Sequence, residues 1–160
     1  MEYGRPFCVT GGVALYRTSR ETLDLTNESA CALRVVEMAG RGRAVVAAQK
    51  IRREQLVERA PVLVVEEEER AIIDASSIGA HIFMWEHGSV GDDIYSGKGR
   101  AAVVLGLASL VNHSATPNCR FVRYIEARAL DVIALRDIAA GEEITFDYGM
   151  KLWFTPEEPR

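Results

Sequence analysis

A polar cluster follows an apolar run in the middle of the chain. Residues 101–111 are mostly apolar, and Asn112, His113 and Ser114 come directly after them. We expect these polar groups to be carried inward, where burying them unpaired would cost about a few kcal/mol. Asn112 can donate and accept at once, which suits it to hold both its own loop and a ligand. The alternative is a turn that Asx chemistry and Pro117 close after a buried segment.

Two glycines lie in a second stretch that could contact a ligand. Gly40 and Gly42 occur in the sequence GRGRAVVA, which begins at Gly40. Glycine lets the backbone approach a ligand closely and adopt positive φ. The alternative is a simple hairpin turn, and this short pattern alone does not choose between the two.

A third stretch, GEEITFDYG at 141–149, ends in a tyrosine and a glycine. Taken in chain order, GRGRAVVA, NHSATPN at 112–118 and GEEITFDYG resemble the signature motifs of the SET domain, the lysine methyltransferase fold. The sequence Arg136-Asp137-Ile138 also agrees with the RDI that precedes GEE in the family. The resemblance covers residues 35–154. It implies a mainly β (α+β) fold of several short sheets with a C-terminal pseudoknot.

The resemblance implies S-adenosylmethionine as the cofactor. In the family, the glycine loop lays its backbone along this cofactor, which transfers to Arg41, Gly42 and Arg43. The Asn-His pair contacts it through side-chain and backbone atoms, so Asn112 and His113 are predicted cofactor-binding residues. His113 could instead be a metal ligand, but no second His, Cys or acid stands at metal spacing, and no metal site is predicted.

Tyr148 is the predicted catalytic residue, and the resemblance also implies that it contacts the cofactor. Methyl transfer from a sulfonium to an amine is an in-line displacement, so positioning supplies much of the rate. The substrate lysine must first lose a proton from an amine whose pKa is ordinarily about 10.4. An apolar channel and the sulfonium charge both lower that pKa. A phenol oxygen can then orient the neutral amine; the alternative is a core tyrosine that ends a strand.

Aromatic residues are predicted to shape the lysine channel, which Tyr148 would also line. Phe146, two residues before Tyr148 on the same strand face, matches a position where tyrosine limits transfer to one methyl group and phenylalanine leaves room for more. The resemblance places the sequence HIFMW at the channel too, with His81 where compact members carry tyrosine. The complete predicted channel set is His81, Phe83, Trp85, Phe146 and Tyr148.

Trp153 resembles the aromatic residue that follows the Tyr-Gly pair in many SET domains. An aromatic face can stack on adenine or enclose a methylated ammonium, so Trp153 is a predicted cofactor-binding residue. Plain core packing is the alternative. Ala115 replaces the cysteine of members that carry a zinc-binding cysteine-rich segment, so the chain resembles small members that lack it.

The composition limits the classes of protein to which this chain can belong. The 160 residues, 48% hydrophobic and 26% charged, fit one globular domain. A net charge of −4 gives no sign of direct nucleic-acid binding. Three widely spaced cysteines favour free thiols in a reducing compartment. Without a signal-like start or an apolar run of about 18 residues, we expect a soluble intracellular protein with no membrane span.

Short segments broken by glycine predict mainly strands. A hairpin is expected from Val35–Met38 and Ala44–Ala48, and a buried strand at Pro61–Val65. Residues 50–60 show helical spacing and predict one or two helical turns. The acidic run at 66–69 is either a solvated loop or helix start, or a rim that attracts a basic peptide. The remaining predicted strands are Val13–Tyr16, His81–Trp85, Cys119–Ile125, Ala129–Leu135 and Glu143–Tyr148.

We therefore expect residues 1–34 to flank a SET domain at 35–154, with a tail at 155–160. The expected function is methyl transfer from S-adenosylmethionine to a lysine ε-amine of a protein, whether a basic histone tail or another substrate. A rival hypothesis is a catalytically weak module that binds a peptide or a protein, which gains from His81. An edge strand or the N-terminal segment could pair two copies as a homodimer.

Overall fold

The structure is a computed structural model that describes residues 15–16, 31–86 and 99–149. Within them the strands are, in chain order, β1 Leu15–Tyr16, β2 Leu33–Met38, β3 Gly42–Ala47, β4 Leu56–Val65, β5 Ile82–Met84, β6 Ala101–Val104, β7 Asn112–His113, β8 Cys119–Tyr124, β9 Ala129–Ala134 and β10 Thr145–Phe146. The helices are α1 Arg70–Asp74 and three 3₁₀ helices at Glu67–Glu69, Ser77–His81 and Leu107–Leu110. The expected mainly β architecture is confirmed.

A six-stranded sheet, in the order β1-β8-β9-β4-β6-β5, forms the body of the domain. The long strand β4 pairs antiparallel with β9 on one side and with β6 on the other. Its β-branched residues favour this extended backbone. Val62 is buried while its neighbour Leu63 is 57% exposed. The prediction of a strand at 61–65 is thus confirmed, but not its complete burial, because alternate residues of β4 point to opposite faces.

Strands β2 and β3 form a separate antiparallel hairpin, which confirms the hairpin predicted from the sequence. Its register runs from Leu33 opposite Ala47 to Met38 opposite Gly42. Gly40 has φ 77° and Gly42 has φ 68°, in the left-handed region that glycine adopts at little cost. These two glycines therefore turn the chain sharply enough to bring the residues between and after them against other elements.

The two motifs at 112–118 and 141–149 meet in a short parallel pair. In this pair β7 and β10 place Thr145 opposite Asn112 and Phe146 opposite His113. The Ser114 amide extends the contact by donating to the Phe146 carbonyl at 2.8 Å. On the other side, the Ile144 amide donates to the Val45 carbonyl at 2.8 Å. The chain before Tyr148 is thereby held between β3 and β7.

The core lies between these sheets and consists mainly of aliphatic residues with a few aromatic ones. Trp85 and Phe146 are its largest fully buried side chains. The rings of Phe83, Phe121 and Phe146 pack edge to face, with centroids 5.4 to 6.5 Å apart. Burying a large apolar side chain contributes roughly 1.5–3 kcal/mol, so this cluster is a substantial anchor for β10.

Two expectations about local structure were wrong. Residues 50–60 form no helix: Ile51 makes an isolated bridge to Ile138, and β4 begins at Leu56. The helical spacing of that segment is overridden because its second half supplies a strand to the large sheet. His81 ends a 3₁₀ helix instead of beginning a strand, and β5 starts one residue later.

The acidic run at 66–69 is exposed and leads into α1, which agrees with the prediction of a solvated helix start.

Several other predictions fall outside the described residues. They are most of the segment 1–30, the loop at 87–98, Trp153 and the tail. None of the helices in the described part of the chain is long and apolar enough to cross a membrane.

Candidate active site

A pocket of about 240 Å³ opens where the β2–β3 turn, two 3₁₀ helices and the start of β7 meet. Its lining residues are Arg41, Arg43, Ala80, His81, Ser109, Leu110, Val111, Asn112 and Tyr148. Five of these, Arg41, Arg43, His81, Asn112 and Tyr148, are among the eleven predicted site residues, so the fold brings part of the predicted set to one place. Ala80, Ser109, Leu110 and Val111 were not predicted, because they are small or apolar and carry no recognisable chemical pattern.

Tyr148 is fixed at both its backbone and its hydroxyl group. The hydroxyl donates to the Val111 carbonyl at 2.8 Å, and the Tyr148 amide donates to Nδ1 of His113 at 3.2 Å. Burial raises the pKa of the phenol above its ordinary value, and the opposing effect of Arg41 does not cancel this rise. The phenol is therefore neutral, with its proton committed to Val111 and its oxygen lone pairs able to accept another hydrogen bond.

His113 stands behind Tyr148, and it is absent from the residues that line the pocket. The two rings pack edge to face with centroids 5.4 Å apart. Because Nδ1 of His113 accepts from the Tyr148 amide, the neutral ring carries its proton on Nε2. Asp147 approaches the same Nδ1 only to 3.9 Å, beyond hydrogen-bond distance. The side chain of His113 thus orients Tyr148, and its predicted contact with a cofactor remains a prediction.

Asn112 links the glycine turn to the GEE segment. Its Nδ2 donates to the Arg43 carbonyl at 3.1 Å and to Oε1 of Glu143 at 2.9 Å. Both amide hydrogens are used by these bonds, so its side-chain oxygen is the atom left to contact a ligand. These bonds agree with the expectation that Asn112 holds its own loop, and its contact with a ligand remains a prediction.

The buried carboxylate of Glu143 is a site feature that the sequence did not single out. Its oxygens lie 3.3 Å from Nε of Arg41, and both side chains are nearly buried. Arg41 also donates to the His113 carbonyl at 3.1 Å. In the sequence, Glu143 is an acid two residues before a strand. Acidic side chains are usually exposed, so its burial was not predicted.

One wall of the pocket is a 3₁₀ helix held by a second buried acid. The carboxylate of Glu58 on β4 accepts from the amides of Leu107 and Ala108 at 2.8 and 2.7 Å. A Cβ on Gly106 would lie 2.7 Å from Oε1 of Glu58, so glycine is required there for close approach. The carbonyls of Ser109 in this helix and of Val111 directly after it then accept from the pocket residues His81 and Tyr148. Nothing in the local sequence around Glu58 indicates this role.

His81 also lines the pocket and is partly buried. Its Nδ1 is 2.9 Å from the Ser109 carbonyl. A carbonyl oxygen only accepts, so Nδ1 carries the proton and the neutral ring keeps an acceptor at Nε2. The sequence expectation that His81 lies near Tyr148 agrees with this placement, since both residues line the pocket.

The other predicted channel residues lie deeper. Phe146 and Trp85 are fully buried, and Phe83 packs against Phe146; none of the three is among the residues that line the pocket. Phe83 and Phe146 lie beneath the site, whereas the backbone carbonyls of Met84 and Trp85 accept from the guanidinium of Arg123. The described residues include no group of three or more His, Cys, Asp or Glu side chains placed to hold a metal ion.

The charge distribution of the pocket fits a ligand with both an anionic and a cationic end. Arg41 and Arg43 line one side, where guanidinium groups suit a carboxylate. The carbonyls of Ser109 and Val111 line another side, and carbonyl oxygens suit a sulfonium or an ammonium. Gly42 offers open space beside the turn, because a Cβ there would meet no atom within 4 Å. S-adenosylmethionine has charged groups of both kinds.

Comparison with known proteins identifies the family. The sequence pattern described as the SET domain matches residues 42–149, which is most of the chain. The chain belongs to the SET-domain family. The matched region begins at Gly42 of the glycine turn and ends at Gly149 beside Tyr148, so it contains nearly all of the pocket.

Similar proteins in the family include histone-lysine N-methyltransferases. The H3 lysine-37-specific enzyme of Schizosaccharomyces pombe is 27% identical over 126 residues, 78% of each chain. The H3 lysine-4-specific enzyme of Saccharomyces cerevisiae is 44% identical over 45 residues, which are 27% of this chain but only 4% of that protein. The chain therefore spans most of the first relative and a small part of the second.

Solved structures of SET-domain proteins share the fold. The Neurospora SET domain protein DIM-5, a histone lysine methyltransferase, superposes with a TM-score of 0.56 at 23% identity, covering 82% of this chain and 58% of that one. A structure that addresses the product specificity of histone lysine methyltransferases gives a TM-score of 0.57 at 25% identity, covering 75% of this chain and 51% of that one. The expected SET-type fold is confirmed.

Proposed function

We propose that this SET-domain protein transfers a methyl group from S-adenosylmethionine to the ε-amine of a lysine in a protein substrate. The observation that carries the proposal is the neutral phenol of Tyr148, which donates to the Val111 carbonyl at 2.8 Å at the wall of the pocket. That arrangement leaves a phenol oxygen able to accept from a substrate amine, next to a carbonyl that favours positive charge.

The proposed cofactor contacts follow from the charge distribution. Arg43 and Arg41 would hold the carboxylate end, and the side-chain oxygen of Asn112 would accept from an amino group. The exposed backbone at Gly42 would lie along the ligand. When bound, S-adenosylmethionine supplies a methyl group on an electron-poor sulfonium. Trp153 remains a proposed contact with its adenine.

Tyr148 would act by positioning. A lysine ammonium cannot attack, so the amine must be neutral when it attacks, although its ordinary pKa is about 10.4. The Tyr148 oxygen would accept one N–H of the neutral amine and aim the nitrogen lone pair along the line of displacement. In-line reactions gain much of their rate from such alignment.

Phe146 bears on how many methyl groups are transferred. A phenylalanine at this position carries no hydroxyl that could hold a water molecule beside the amine. Its ring is fully buried against Phe83 and Phe121. We propose that the enzyme has capacity for di- or trimethylation on this basis.

The proposed substrate is a histone tail or another lysine-bearing protein segment. Support comes from the two relatives described above, which are named as methyltransferases specific for lysines of histone H3. The net charge of −4 suits a basic partner. The particular lysine is left to experiment.

The test compares two tyrosine variants in a labelled-methyl assay on histones and mixed lysine-bearing proteins. Tyr148→Phe removes the proposed positioning oxygen and should reduce transfer by on the order of 100-fold. Tyr124→Phe is the matched control, because Tyr124 lies on β8 beside the guanidinium of Arg59 and is not among the pocket residues. Equal activity of the wild type and Tyr148→Phe would contradict the role of Tyr148.

A second candidate function is a binding module without turnover, favoured by His81 in place of the tyrosine of compact members. Titration calorimetry separates the two functions. Cofactor binding without transfer to any substrate would support the binding module. Absence of cofactor binding would contradict both the proposed cofactor and the methyl transfer.

A further inference from the structure

We propose that His81 accepts the proton that the substrate lysine must lose before methyl transfer. This inference rests on the proposed function and adds a residue with its own chemical role. The proposal begins from the tether of the ring: Nδ1 lies 2.9 Å from the Ser109 carbonyl, which only accepts. In the neutral ring the proton is therefore on Nδ1, which leaves Nε2 as the acceptor on a ring that lines the pocket.

The other polar side chains of the pocket are less suited to take a proton. The Tyr148 hydroxyl donates to Val111, and its oxygen is a neutral phenol oxygen of very low basicity. The amide of Asn112 is not a base, and both of its hydrogens are used by Arg43 and Glu143. The guanidinium groups of the pocket arginines are permanently protonated. Within the described lining, the imidazole of His81 is thus the group able to act as a base near pH 7.

The proposed step is balanced as follows. One N–H bond of the substrate ammonium breaks and an Nε2–H bond of His81 forms, which leaves a neutral amine and an imidazolium. The nitrogen lone pair is then free to form the N–C bond while the C–S bond of the cofactor breaks and its electron pair stays on sulfur. His81 is partly exposed, so the imidazolium can return its proton to water.

Among the described residues, the elements packed against the helix of His81 include α1 and β6. In the pocket it is accompanied by Arg41, Arg43 and Tyr148. On α1, the nearest acid is Asp74, which is paired with Arg70 at 3.2 Å. The packed strand β6, Ala101–Val104, contributes no titratable side chain. Because these groups are unchanged in a His81 variant, differences in pH dependence between variant and wild type report on position 81.

His81→Asn separates the tether from the base. An asparagine amide lies near the position of Nδ1 and can still donate to the Ser109 carbonyl, but nothing replaces Nε2. We expect cofactor affinity to stay within about twofold, while kcat falls on the order of 100-fold at pH 7, the usual size of a general-base contribution. The loss should shrink as the pH approaches the ordinary lysine pKa of about 10.4, because the substrate then loses its proton to water.

The experiment measures kcat and KM from pH 7 to 10 for wild type, His81→Asn and His81→Gln, with cofactor binding by calorimetry as the check on folding. His81→Gln places an uncharged amide near Nε2 and should show the same pH-dependent loss. A wild-type-to-variant ratio that is constant with pH, or close to one at pH 7, would show that His81 only shapes the wall. Wild-type protein that transfers no methyl group at any pH would overturn the proposed function itself, and this role with it.

Discussion

The side chain of Asn118 hydrogen-bonds to the backbone on both sides of Ile144, at Thr145 and at Glu143. Its Oδ1 accepts from the Thr145 amide at 2.9 Å, and its Nδ2 donates to the Glu143 carbonyl at 2.7 Å. Asn118 is 2% exposed. The last residue of the NHSATPN motif thus fixes the strand that leads to Tyr148 and joins the two motifs physically.

Asn118→Asp should destabilise the fold and abolish methyl transfer. The change keeps the shape but places an oxygen where Nδ2 faced the Glu143 carbonyl and the Glu142 carboxylate. Burying those acceptors together should lower the free energy of unfolding by roughly 3 kcal/mol, measured by chemical denaturation. Gln55→Glu is the control, because the oxygen of Gln55 that accepts from the Arg52 amide is retained. Equal losses in the two variants would refute the role of Asn118.

Glu143→Gln should weaken both stability and cofactor binding. The carboxylate neutralises Arg41 in a nearly buried pair and accepts from Asn112, so one change disturbs two pocket residues. Removing one member of a buried pair lowers the free energy of unfolding by about 3 kcal/mol. Thermal melts and cofactor titration would measure the two effects. Glu37→Gln, on the exposed face of the same hairpin, should change neither by more than about 0.5 kcal/mol.

The sequence was sufficient where the structure depends on local chemistry or on ordered motifs. The Gly40 and Gly42 hairpin follows from turn preferences, and the meeting of Asn112 with the strand before Tyr148 follows from the family resemblance. The sequence was not sufficient where tertiary contacts decide the local structure. The segment 50–60 has helical spacing, yet its second half joins β4 because pairing with β9 outweighs a weak local preference.

Buried charges were the least predictable part of the site. Glu58 and Glu143 are ordinary acids in the sequence, and acids are usually exposed. Each is buried because a partner distant in sequence donates hydrogen bonds to its carboxylate. For Glu58 the donors are two helix amides 49 and 50 residues away. For Glu143 the donor is Arg41, 102 residues away. Such partners become visible only when the chain is folded.

Cys119 should make the protein less stable at alkaline pH. Burial raises the pKa of its thiol to about 12, with Arg136 opposing the rise. The neutral thiol is favoured in the fold, so its contribution is fully present below the ordinary thiol pKa and is lost as the pH rises from about 9 towards about 12. The free energy of unfolding should fall by roughly 1.4 kcal/mol per pH unit from this group. Denaturation of Cys119→Ala from pH 8 to 11 should show a shallower decline, and parallel curves would contradict the assignment.

Glu58→Gln should loosen the 3₁₀ helix that forms a pocket wall, although Glu58 itself does not line the pocket. One of the two amides at Leu107 and Ala108 would face an NH₂ group instead of an oxygen, which should lower the free energy of unfolding by about 1–3 kcal/mol. The 3₁₀ helix carries the Ser109 carbonyl and leads directly into Val111, so KM for the cofactor should rise as well. Gly106→Ala should produce the same pair of effects by pushing on the Glu58 carboxylate. Glu126→Gln, on an exposed turn, is the control in denaturation and kinetic assays. A destabilised Glu58→Gln protein with unchanged KM would mean that the wall keeps its shape without this anchor.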